Sequence, residues 1–268
     1  MKYRILLSDI DGTLRPFEQP RVPQDNVEAI RAIQRHGVKF AISTGRGRGG
    51  IPTEMLNGLT PDYWICAAGA QVLDAGGSTI ASSCLAQDEL EALLSFCTEG
   101  GYSLHFSFSD GTYSYIGYEE IHRRELELGL DTCMKDGGDQ TRHLQEMPFS
   151  ASARMPRAEA ERFQALYGGL GLRFLYYNDD GCDIVRAQQD KATGLKALLS
   201  HTGMSLAECV CVGDGNNDVG ILRAAGLGFC VEGGAPDALA AADRICPPSN
   251  ACGVAAICRE LWPEAFVS

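Results

Sequence analysis

Short apolar runs closed by glycine or by acids recur at both ends of the chain. Residues 4–9, 38–44, 63–67, 208–213 and 227–231 read as buried strands, and the stretches near 26–36, 192–201, 217–225 and 236–242 have helical patterning. Alternating strands and helices of this kind predict an α/β fold built on a doubly wound parallel sheet. The middle of the chain differs. From 82 to 183 the runs 102–108, 112–116, 150–155, 173–177 and 182–185 alternate or carry aromatic residues, and helical stretches near 118–129 and 156–168 interrupt them. Turn signals at Asp110-Gly111, Asp136-Gly137-Gly138 and Asn178-Asp179-Asp180-Gly181 punctuate the segment. This texture predicts a separate α+β unit, 82–183, inserted into a core made of 1–81 and 184–268.

Polar groups stand where the core strands stop. The run Ile5, Leu6, Leu7 passes through Ser8 into Asp9, Ile10, Asp11, Gly12 and Thr13. Successive strand side chains point to opposite faces, so Asp9 and Asp11 share a face while the chain stays extended, and Gly12 then permits a sharp turn beside a bound group. Acids so close repel each other unless a cation or a shared proton relieves them. Taken alone, the segment also reads as a solvated turn capped at Thr13. Its companions weigh against that: the second strand ends in Thr44, Gly45 and Arg46, and the fourth ends in Gly213, Asp214, Gly215, Asn216, Asn217 and Asp218. Lys191 lies between these two motifs, just ahead of a helical stretch.

Composition narrows the function classes. The 268 residues suffice for roughly two domains, and a formal net charge of −12 argues against nucleic-acid and polybasic membrane partners. No apolar stretch approaches the roughly 20 residues of a membrane span, and the expected location is the cytoplasm. Eleven cysteines show no Cys-x-x-Cys pair and lie largely inside apolar runs, and the five histidines have no ligand spacing, so both read as structural residues.

An acid pair, a hydroxyl, a lysine and a second acid pair, in that order, resemble the haloacid dehalogenase-like (HAD) hydrolase superfamily, and within it the Cof-type phosphatases with a large inserted cap, over essentially the whole length. The resemblance implies that Asp9 is a nucleophile forming an aspartyl-phosphate and that Asp11 is a general acid and base. It implies phosphate or substrate contacts at Gly12, Thr44, Gly45, Arg46, Lys191 and Asn217. It also implies Mg²⁺ held by Asp9, Asp214 and the backbone carbonyl of Asp11, with Asp218 anchoring its waters. Several of these positions keep a second reading: Thr44 as a strand-end turn residue, Arg46 as the partner of an acid on the core surface, Asn217 as a helix cap rather than a residue orienting Lys191. The chain departs from the family after the third strand, where relatives commonly have Asn-Gly-Ala and this chain has Ala67-Ala68-Gly69-Ala70 with Ala68 in place of the usual Asn, and in placing Ala192 and Thr193 between Lys191 and Gly194.

The expected activity is therefore a Mg²⁺-dependent phosphatase acting on monoesters of small metabolites, sugar phosphates or similar. A phosphomutase of the same fold and a non-catalytic sensor of a phosphorylated ligand are the alternatives. Asp11 argues against the sensor, since a binder has no need of a positioned acid.

Overall fold

In the computed structural model, residues 2–127, 134–177 and 179–267 are described. Strands β1 (Ile5–Ser8), β2 (Lys39–Ser43), β3 (Tyr63–Cys66), β4 (Gln71–Asp74) and β5 (Thr79–Ser82) open the chain, and β12 (Cys209–Gly213), β13 (Leu227–Val231) and β14 (Arg244–Cys246) follow the intervening segment. They form one eight-stranded sheet in the order β14-β13-β12-β1-β2-β3-β4-β5. From β14 to β3 all neighbours are parallel, whereas β4 and β5 run antiparallel to theirs. The expected doubly wound parallel sheet is present across β1, β2, β3, β12 and β13, and β4 and β5 add an antiparallel edge to it. Only the turn at 67–70 joins β3 to β4, and a parallel pair needs a crossover of about a dozen residues.

Strand alternation explains why these strands are apolar throughout. Ile5, Leu7, Ile65, Cys209 and Cys211 face a core shared with Leu195 and Leu198 of α5 (Lys191–Thr202) and with Ile221 and Leu222 of α6 (Val219–Ala224). Leu6, Phe40, Ile42, Val210 and Val212 face the opposite core, which holds Val27, Ile30 and Ile33 of α1 (Gln24–Arg35) and Val254 and Ile257 of α8 (Gly253–Leu261). Helix α7 (Pro236–Ala241) completes the layer beside α6.

The middle segment forms a second, six-stranded sheet in the order β10-β11-β9-β6-β7-β8, from β6 (Ser103–Phe108), β7 (Gly111–Ile116), β8 (Met134–Asp136), β9 (Ser150–Arg154), β10 (Leu172–Tyr176) and β11 (Gly181–Arg186). Its pairs are antiparallel except β7 with β8. One face carries Leu104, Phe106, Ala151, Ala153 and Ile184 against Leu90, Leu93 and Phe96 of α2 (Gln87–Gly100) and Phe163 of α4 (Arg157–Tyr167). Helix α3 (Tyr118–Glu127) covers the expected stretch only as far as Glu127. Residues 128 and 129 of that stretch, Cys133 and Asn178 lie outside the described residues. Helix α2 was not among the expected elements, although Leu90, Leu93, Phe96 and Cys97 have the spacing that marks it. Strand β11 runs on to Arg186, paired with β10, past the expected boundary at 183.

All described cysteines are free thiols, and all but Cys84 and Cys252 are buried. Among the described residues no helix is long and apolar enough to cross a membrane.

Candidate active site

Strand β1 lies at the centre of the parallel region, and the chain winds outward from it through β2 on one side and β12 on the other. In an open α/β sheet the crevice beyond the carboxyl ends of the strands at such a reversal is where ligands bind. Asp9 follows β1, Thr44 follows β2, and Asp214 follows β12, so strand order alone gathers residues that are far apart in sequence. The Asp9 N–H donates to the carbonyl of Val212 at 3.0 Å, which extends the β1–β12 pairing to the acid itself.

Lys191, the first residue of α5, is fully buried and donates to Asp9 Oδ1 at 2.7 Å and to Asp218 Oδ1 at 2.6 Å. A lone buried ammonium costs several kcal/mol in lost hydration, so two carboxylates are needed to hold the charge. They push the lysine well above its ordinary pKa even though burial works against it. Asp218 uses its other oxygen to accept from the N–H groups of Asp214 (3.1 Å) and Gly215 (3.0 Å), which closes the loop after β12 around it. Burial, with Asp218 and Asp214 nearby, raises Asp9 well above the carboxylate range despite Lys191. Burial likewise raises Asp214 to about 6, against the hydrogen bond that Thr13 donates to it at 2.6 Å.

Oxygen atoms of Asp9, Asp214 and Asp218 all lie within 4.8 Å of one another. Three carboxylates with one ammonium leave an excess of negative charge, and all the donors are hard oxygens. That set fits a divalent cation of the Mg²⁺ type. The Asp11 carboxylate stands apart from this group. It accepts from Arg46 Nε at 2.6 Å and Nη2 at 3.3 Å and also from Arg15 Nη2. Burial would raise its pKa, but the two guanidiniums hold it below the usual carboxylate range. Gly12 turns the chain between these acids at φ +86°, where a Cβ would lie 2.6 Å from Asp214 Oδ2.

The remaining expected residues are placed as follows. Thr44 is buried and its hydroxyl accepts from the Arg46 N–H at 3.2 Å, a turn that aims Arg46 at Asp11. Arg46 thus pairs with an acid, but with one inside the crevice. Asn217 lies beside Gly45, and among the described residues no hydrogen bond joins it to Lys191. Asp9 and Asp218 hold the lysine. In the turn where Ala68 replaces the family's Asn, Ala67 and Ala68 adopt φ 49° and 50°, at a cost on the order of 1 kcal/mol each. Their N–H groups donate to the carbonyls of Arg46 (2.8 Å) and Thr44 (3.0 Å), so backbone contacts pin the turn without an amide side chain.

Two residues at the crevice were missed from sequence. Arg15 is buried beside Asp11, and its i, i+4 spacing was the available signal. Asp183 of β11 sits against Gly45, flanked in sequence by Cys182 and Ile184 of the apolar face. That alternation marks it as facing the other way.

The chain matches the model of the haloacid dehalogenase-like hydrolase family over residues 6–257. It is 26% identical to the protein YxeH of Bacillus subtilis (strain 168), over 97% of this chain and 98% of that one. It is 23% identical to an HMP-PP phosphatase of Yersinia pseudotuberculosis over 87% and 85% of the two chains. A solved sugar phosphatase of HAD subclass IIB superposes with a TM-score of 0.84 at 24% identity, covering 96% of this chain and 98% of that one.

Proposed function

The chain belongs to the haloacid dehalogenase-like hydrolase family, and from that premise we propose that it is a Mg²⁺-dependent phosphatase of small metabolites, sugar phosphates or similar, working through an aspartyl-phosphate. The observation that carries this reading is Lys191, buried between Asp9 and Asp218 within hydrogen-bonding distance of both, beside a third acid at Asp214.

In this reading a carboxylate oxygen of Asp9 attacks phosphorus and the bond from phosphorus to the ester oxygen breaks. Asp11 gives its proton to the departing alkoxide. Asp11 then takes a proton from water as that water attacks phosphorus, the Asp9–phosphorus bond breaks, and inorganic phosphate leaves. Thr44 and Lys191 bind the phosphoryl oxygens where negative charge spreads. Asp9, Asp214 and the Asp11 carbonyl would hold Mg²⁺, with Asp218 behind them, and the ion supplies the charge neutralisation that lets an anionic nucleophile meet an anionic ester.

Arg46 gives the first step a physical trigger. With both guanidiniums on it, Asp11 is ionised and has no proton to give. An arriving phosphate competes for Arg46, Asp11 loses part of the charge that holds it ionised and takes up a proton from solvent water, and that is the proton it gives to the alkoxide. The unit 82–183 is proposed as a cap that covers the crevice and excludes water.

The test is phosphate release from phosphorylated metabolites with Mg²⁺, alongside two variants. Asp9→Asn should abolish turnover and any acid-stable phosphoenzyme, and Asp11→Asn should slow transfer by roughly 10² to 10⁴ while phosphate still binds. Full turnover by Asp9→Asn, or in excess chelator, overturns the mechanism.

A further inference from the structure

Ser43, the last residue of β2, is 2% exposed, and its hydroxyl has no hydrogen-bond partner among the described residues. A buried hydroxyl left unpaired is costly, so its presence calls for a reason. Its neighbours supply one. Parallel pairing sets Leu7 beside Ala41 and Ser8 beside Ile42, so the next residues of the two strands, Asp9 and Ser43, come side by side. Leu7 and Ala41 both face the core under α5, and alternation turns Asp9 and Ser43 to that same face.

Lys191 reaches this face from the direction of β3. Its backbone starts beside Gly69, in the turn after β3, and its ammonium ends between Asp9, after β1, and Asp218, in the loop after β12. Strand order puts β2 between β3 and β1. The lysine side chain therefore passes over the end of β2, where Ser43 points toward it. On the other flank of Asp9 the matching position is Gly213, and a Cβ there would lie 2.4 Å from Asp218 Cγ, so the Asp218 carboxyl fills that place. Asp9 thus has a carboxylate on one flank and an unused hydroxyl on the other.

We propose that Ser43 is a positioning residue for the second half of the reaction, donating its hydroxyl hydrogen to the Asp9 oxygen that is not bonded to phosphorus in the aspartyl-phosphate. This rests on the phosphatase reading above. In the resting site Lys191 holds Asp9, and the hydroxyl has no part. Phosphorylation removes the negative charge from the Asp9 carboxyl, and Lys191 follows the charge to the phosphoryl oxygens. The acyl oxygen of Asp9 then accepts from Ser43. As water attacks phosphorus and gives its proton to Asp11, the bond from phosphorus to Asp9 breaks and its electron pair returns to the carboxylate. Negative charge grows on the oxygen that Ser43 faces, and a donor already in place there lowers the barrier. Formation of the aspartyl-phosphate gains nothing from it, because in that step Asp9 gives up charge.

The experiment follows p-nitrophenol release from p-nitrophenyl phosphate, and acid-quenched phosphoenzyme, with Mg²⁺ in the unmodified protein, Ser43→Ala and Ser43→Cys. Ser43→Ala should slow phosphoenzyme decay about tenfold or more, so that a burst of p-nitrophenol precedes a slower steady rate. Its kcat and KM should fall together, with kcat/KM within about twofold of the unmodified value, because formation is untouched. Ser43→Cys, which keeps a weak donor, should decay at an intermediate rate. Without metal or substrate, Ser43→Ala should raise Tm by a few degrees, because it removes an unpaired hydroxyl from the resting site. Unchanged phosphoenzyme decay in Ser43→Ala, a kcat/KM that falls as far as kcat, or a Tm no higher than that of the unmodified protein overturns the proposal and leaves the phosphatase reading standing. No p-nitrophenol release by the unmodified protein overturns both.

Discussion

A Cβ on Gly69 would overlap the carbonyl oxygen of Asp190, so the turn after β3 and the start of α5 touch backbone to backbone. Asp190 caps α5 by accepting from the Thr193 N–H at 2.7 Å, and Lys191 is the next residue. The lysine's position therefore depends on a glycine far from it in sequence. Gly69 also has φ +98°, which strains any other residue. Gly69→Ala should push α5 outward, separate Lys191 from Asp9 and lower kcat at least 10²-fold. Normal kcat would show that the site tolerates the shift.

Lys191→Met leaves Asp9 and Asp218 buried without their cation. Removing one partner of a buried pair typically costs about 3–5 kcal/mol, and urea unfolding without metal at pH 7 should show a loss of that order. Adding Asp218→Asn should recover part of it, because one of the stranded charges goes too. A double variant no more stable than the single one would contradict this electrostatic account.

One of the contacts between the two sheets runs through the loop after β2. A Cβ on Gly49 would overlap the backbone of Asp110 and Gly111 at the start of β7, and the sheets have separate apolar cores. Gly49→Ala should hold the sheets apart, raising KM tenfold or more while changing unfolding free energy by less than about 1 kcal/mol. Small-angle scattering should show the wider separation. An unchanged KM would mean that this contact plays no part in closure.

His105 and Asp183 oppose each other in pH dependence. Burial, helped by Arg154, lowers the His105 imidazole to about 4, so as pH falls from 6.5 to 4 the unfolded chain takes up a proton that the native state refuses, and stability falls. Burial raises Asp183 to about 6, so as pH rises from 3.8 to 6 the unfolded chain releases a proton that the native state keeps, and stability again falls. Each effect is worth about 1–3 kcal/mol. Relative to the unmodified protein, His105→Gln should gain stability as pH falls through this window and Asp183→Asn should gain as pH rises. Chemical unfolding at pH 4, 5, 6 and 7 reads both slopes, and parallel curves would refute them.

Cation binding should stabilise the fold, because the crowded acids destabilise it when empty. Saturating Mg²⁺ should raise Tm by several degrees. Asp214→Asn should shrink that shift and also raise the metal-free Tm, since it removes a charge that burial disfavours. A Mg²⁺ shift unaffected by the substitution would place the ion elsewhere.

The sequence by itself determined the five strands at the centre of the core sheet, β1, β2, β3, β12 and β13, and where they end. Apolar runs and their closing acids are local patterns, and they singled out Asp9, Asp11, Asp214 and Asp218 before any contact was known, whereas Thr44 and Lys191 joined them through the resemblance to the family. Which of these groups meet was a tertiary matter. Lys191 bonds Asp9 across 182 residues of chain, and Asp11 turns from the other acids to Arg15 and Arg46. The antiparallel edge at β4 and β5 follows from a turn too short to cross over. Asp183 came to the crevice because the helices α2 and α4 bury one face of the second sheet and leave the other to the core. Periodicity is set by neighbours a few residues apart, whereas pairing of charges and choice of face are set by packing between elements whose separation along the chain carries no local signal.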